Sequence, residues 1–216
     1  MPDQLSIYNG ALTVVGERKL ASLTENREPR HKLDEVWDNE LYDRVLHMGL
    51  WNFAARSVEL TASPSVTPSF GYQFAFDKPS DDFIRTMQVC YDEYFNRPIT
   101  QYSDEGKWIF TDTEIIYYQY VSSDEEFGTD LSLWPPNFTE MVEHYMAYKA
   151  GPKMIGLDVN ERTLEAKWER ELLKAKSSDA MESPARFPPQ GGWARSRQGF
   201  RGGGRERGNR NQLIGG

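Results

Sequence analysis

The sequence is poor in cysteine: Cys90 is its only one in 216 residues. An intramolecular disulfide is therefore impossible, which suits a reducing compartment. No apolar run approaches the roughly 18–20 residues needed to span a bilayer, so no membrane role is expected. Met1-Pro2-Asp3-Gln4 lacks the basic-then-apolar start of a secretory signal, and the sequon Asn137-Phe138-Thr139 is read as accidental. No repeat of fixed period is present.

Signs of catalysis are equally sparse. The three histidines, His31, His47 and His144, are scattered, with neither Cys-x-x-Cys nor His-Glu-x-x-His spacing. Glu140 and His144 stand four apart on one expected helix, and the pair reads as a surface contact, not as two ligands. No Gly-x-Ser-x-Gly elbow occurs, and Cys90 lies in a strand-like apolar segment where a thiol is a small core residue. The acidic runs Asp81-Asp82, Asp104-Glu105 and Asp124-Glu125-Glu126 lie in polar loops and read as solvated, not as the spaced pair that a glycosidase needs. Gly202 to Gly208 has no flanking strand or helix and no Gly-Lys-Ser/Thr, so it is no phosphate loop. The expectation is a protein that is not an enzyme, with no catalytic residue, cofactor or metal.

What is present is an uneven charge. The whole chain carries −8. Residues 184–216 hold seven arginines and one acid, a net of +6, which leaves 18 basic and 32 acidic residues, or −14, in 1–183. An acidic body repels nucleic acid. Aromatic residues make up 13% of the chain, so the body can build a core.

The spacing predicts a helix over 3–16, from Leu5, Tyr8, Leu12 and Val15, with Gly16 as its stop and Asn9-Gly10 as a weak point. Pro29 opens a second helix, with Leu33, Trp37, Leu41 and Val45 every four residues and Leu46 and Leu50 widening the stripe. Period-two alternation then predicts strands at Val58–Ala62 and Tyr72–Phe76. Asp77 to Ser80 reads as a turn into a short helical turn, and Ile84 to Tyr91 as a strand. Ser103 to Gly106 is expected to be a hairpin turn between strands at 99–102 and 107–111. Glu114–Val121 is apolar on both faces, which suggests cover on both faces, the second from a neighbouring subunit. Asn137 and Glu140 suggest a capping box for a helix that Gly151-Pro152 ends. Asp158 and Glu161 suggest another start, for a charged helix to about Lys176 with the narrow stripe Leu164, Trp168, Leu172.

The fold class expected is α+β: a helical bundle with an inserted small antiparallel β-sheet and an extended C-terminal tail. Residues 1–56 supply the first helices, 57–130 the β-rich insert, 131–177 the last helices and 178–216 the arginine/glycine-rich tail. In that tail, Phe187, Trp193, Phe200, Leu213 and Ile214 are spaced apolar anchors among Arg195, Arg197, Arg201, Arg205 and Arg207. Such a segment suits ordering on a partner, because arginine grips carboxylates in two-pronged fashion. It also suits nucleic acid, through phosphate charge and stacking.

The ordered segments resemble a family as a set. Leu41 to Ala54, ending Trp51-Asn52-Phe53-Ala54, is similar to the signature of phage tail tubular protein A, the head-to-tail adaptor of podovirus-type bacteriophages. Tyr72 to Arg85, Gly106 to Asp112 and Trp134 to Met141 resemble further segments of that family in the same order. The resemblance covers about residues 5–150. It implies a non-enzymatic virion protein, a homo-oligomeric ring of twelve copies at the head–tail interface, assembled in the host cytoplasm. Its partners would be the portal protein and the tail nozzle or tail tube, with genomic DNA passing through the ejection channel without specific binding. The arginine-rich tail lies outside the resemblance. On composition alone, the ten tail residues named above are the expected portal-binding contacts, and nucleic-acid binding by the tail is the alternative.

Overall fold

The computed structural model describes residues 2–68, 71–155 and 161–182, which belong to the first of two compact units, residues 1–182. The fold is α+β. Helices from both ends of this unit pack together, and the strands lie between them in sequence.

Helix α1 (Gln4–Val15) starts from a capping box between Asp3 and Ser6. It ends at Gly16, whose φ of +90° lets the Gly16 and Glu17 amides reach back to Thr13 O and Leu12 O, a Schellman closure. The two helix-weak residues inside it are explained by tertiary contacts. The Asn9 side chain both donates to Leu20 O and accepts from Leu20 N, which pins the 17–26 connector. At Gly10, a Cβ would meet the Glu143 carboxyl group, so the missing side chain leaves room for that carboxyl against α1.

The second helical run is α2 (Glu28–Val36), a π turn (Trp37–Leu41) and α3 (Tyr42–His47). Residues spaced by four drift about 40° per step on an α-helix. The wider π turn absorbs one extra residue, and Leu33, Trp37, Leu41 and Val45 all stay buried. Leu50 does not join them; it is 46% exposed because the chain has left the helix.

Strands β1 (Ala55–Thr61), β3 (Phe83–Cys90) and β6 (Ile115–Ser122) form one antiparallel sheet in the order β1-β6-β3; β2 (Phe74–Asp77), β4 (Ser103–Glu105) and β5 (Trp108–Thr111) form a second in the order β2-β5-β4. The insert is thus two small sheets around Phe76, Val89, Ile109, Ile116, Tyr118 and Tyr120. Ser103-Asp104-Glu105 is a strand, not the turn. The turn is Gly106-Lys107, where Gly106 takes φ +58° as the first central residue of a two-residue hairpin. Ile99–Tyr102 is not a strand; Ile99 is buried beside a single bridge at Pro98. Residues 78–82 hold no helical turn either; they bend into β3 at Asp81 and Asp82, and the Asp82 side chain is held by the Ser122 and Tyr120 hydroxyls of β6. On β6, Ile116, Tyr118 and Tyr120 face the second sheet. Of the opposite row, Val121 is covered by the helices, while Ile115 at the far end is 41% exposed.

Helix α4 (Pro136–Ile155) begins one residue before Asn137. Asn137 is therefore inside the first turn, and its amide donates to Ser178 Oγ instead of capping. Gly151-Pro152 does not end the helix. Leu164 and Val15 come within 3.1 and 3.4 Å of where a Gly151 Cβ would be, so the glycine serves close packing. Helix α5 (Glu161–Glu182) runs antiparallel to α4, with Leu164 near Gly151, Trp168 on Tyr145 and Tyr148, and Ser178 at Asn137. It extends six residues past Lys176 and crosses the expected 177/178 boundary. The expected start at Asp158 lies outside the described residues.

Candidate functional site

The expected portal contacts from Phe187 to Ile214 lie outside the described residues. The described part of the chain brings together the residues that lead to them. Trp51 is buried, with Nε1 donating to Val45 O at 3.1 Å. Phe53 and Trp51 both pack edge-on against Phe138 of α4, at 4.7 and 4.8 Å. Between them, Asn52 reaches the last turns of α5. Its amide N–H donates to Asp179 Oδ1 at 2.9 Å, and its side-chain Nδ2 donates to Asp179 O at 2.7 Å and Oδ2 at 3.0 Å. Burial pushes the Asp179 carboxyl above the usual range, and the Asn52 amide offsets part of that shift. Asn52 thus clamps the end of α5 to the junction between helices and sheet, three residues before Glu182.

A second network binds the sheet to its loops. Arg56 Nη1 reaches Asp82 Oδ2 at 2.8 Å and Asp124 Oδ2 at 3.1 Å. Asp82 also accepts from Tyr120 and Ser122. Burial would raise the Asp82 carboxyl, but the bonds from Ser122, Tyr120 and Arg56 outweigh it and hold it low. Two acidic runs read as solvated therefore contribute a structural pair, Asp82 and Asp124.

A cleft of about 500 Å³ between α3, α4 and α5 is lined by Asp43, Arg44, His47, Met48, Tyr145, Tyr148, Lys149 and Trp168. Trp168 stacks on Tyr148 at 5.6 Å and 4°, and Lys149 lies over Tyr148 at 5.1 Å. Next to it, Glu140 and His144 of α4 meet Glu171 of α5, with one ligand-capable atom from each within 4.8 Å of the others. Glu143, on the α1 side, is pushed up to about 7 by burial and by Glu140. Sequence spacing showed Glu140 and His144 as a pair. It could not show Glu171, which lies 27 positions after His144 and is brought in only by helix packing. The chain matches no protein-family model and no curated protein.

Proposed function

We propose that the chain is a structural, non-catalytic virion protein: a head-to-tail adaptor whose copies form a ring between the portal protein and the tail and continue the DNA channel. The observation that carries this reading is the Asn52–Asp179 clamp. Asn52, within the Trp51 to Ala54 segment that resembles the adaptor signature, ties down α5, the element that precedes the arginine-rich segment. The charge split supports the same reading. A body at −14 repels phosphate, so DNA passes without being held. A basic segment with apolar anchors grips an acidic protein groove through many weak contacts, multiplied around a ring.

The test is the mass of the purified protein, alone and mixed with portal. The adaptor reading expects a portal-dependent ring that is lost when residues 184–216 are deleted. Undiminished portal binding by the deleted chain rejects the tail contacts, and a monomer that never binds portal rejects the adaptor. The arginine-glycine composition of the tail favours one alternative, nucleic-acid binding. That reading expects DNA affinity that falls steeply with salt and needs no portal.

A further inference from the structure

We propose that Glu140, His144 and Glu171 form a binding site for a divalent transition-metal ion that staples α5 to α4. The inference is independent of the adaptor reading. Glu140 and His144 are one turn apart on the same face of α4. Glu171 comes from the facing helix and is only 9% exposed. One donor atom from each side chain lies within 4.8 Å of the other two. Donors on a single zinc ion, each at about 2.0–2.2 Å from it, are separated by less than that, so a small movement of the exposed Glu140 side chain closes the set.

A second observation points to a ligand at the same place. His144 Nδ1 is buried and has no hydrogen-bond partner. Buried polar atoms are nearly always paired, and a partnerless nitrogen on an imidazole grouped with two carboxylates is satisfied by a cation bound among them. The donor set of one imidazole and two carboxylates suits zinc, manganese or iron(II) better than magnesium or calcium, which take oxygen ligands. Three protein ligands leave a position open to water on the exposed Glu140 side.

Lys174 is the resident competitor. Its Nζ lies 2.6 and 2.8 Å from the two Glu171 oxygens. The lysine side chain is 51% exposed, so it can turn to water when a doubly charged ion takes its place. The charge of Lys167, like that of Lys174, opposes positive charge at the imidazole, and both lysines weaken the site without blocking it.

The experiment titrates the full chain with zinc chloride by calorimetry, and with cobalt(II) chloride by its visible ligand-field bands. Saturable binding of a single ion, cobalt bands showing a mixed nitrogen and oxygen set, and a zinc-dependent rise in Tm are expected. His144→Ala removes all three, and the exposed Glu140→Gln, which leaves the fold intact, weakens binding by roughly tenfold or more. Lys174→Met tightens it. No saturable binding, or binding unchanged in both His144→Ala and Glu140→Gln, overturns the proposal.

Discussion

At the residue scale, a few side chains carry contacts that nothing nearby can replace. Asn52→Ala removes the two side-chain hydrogen bonds, to Asp179 O and Oδ2, and leaves the half-buried Asp179 carboxylate with only the backbone N–H of residue 52 at Oδ1. A loss of about 1–2 kcal/mol in urea unfolding is expected, and the double variant with Asp179→Ala loses less than the sum of the two single losses, because the Nδ2–Oδ2 bond is counted in both. Gly49→Ala places a Cβ 2.5 Å from the buried Trp51 ring, which is too rigid to yield, and costs about 1–3 kcal/mol. Gly10→Ala meets only the flexible end of Glu143, so the outcome differs. In the parent, Glu143 ionises near 7 when folded and near 4.5 when unfolded. The folded state binds the extra proton, so stability falls as pH rises from about 4.5 to 7 and then levels off. For a half-buried group the loss is about 1 kcal/mol after solvent screening. Gly10→Ala drives the carboxylate into water and flattens that slope. Urea unfolding at pH 5 and pH 8, in buffer with a chelator, reads it, and an unchanged slope contradicts the contact.

At the element scale, the π turn is the feature to perturb. Asn39 is exposed within it. Deleting Asn39 converts the turn to α-helix and keeps Leu33, Trp37, Leu41 and Val45 on one stripe, so the variant is expected to fold with a Tm near the parent's. Deleting Lys32 in α2 instead rotates Glu28 to His31 by about 100° against the stripe and lowers Tm further. Equal effects on Tm would contradict the account of the turn. The sequence made this run legible as a helix but not as a π turn, because periodicity marks a stripe and not the hydrogen bonds that hold it. Ser103–Glu105 was misplaced for a related reason. Acidic residues before a glycine look like a turn, yet β5 pairs with them residue by residue, and pairing outweighs local preference.

At the scale of the whole molecule, the described core spans both ends of residues 1–182. Leu12, Leu33, Val45, Phe138 and Tyr145 share a single cluster with Ala175. A chain ending at residue 183 is therefore expected to unfold at the same temperature as the full protein; a drop of several degrees would show that residues 184–216 contribute to the core. Leu173 and Met181, 70% and 81% exposed on α5, contribute nothing to that core. Changing both to Asp is expected to leave Tm unchanged and, under the adaptor reading, to weaken ring assembly on the portal.

The α+β class, the helices at either end of the body, the glycine stop at Gly16 and the split between acidic body and basic tail are all legible in the residues alone. Each of these follows from local spacing, backbone preference or charge. Only tertiary structure decided that Asn9 pins Leu20, that Gly10 and Gly151 serve close packing, that Asp82 and Asp124 share Arg56, and that Asp179 and Glu171 meet Asn52 and His144. Those pairings join residues far apart in the chain, and burial, not residue type, gives them their energy.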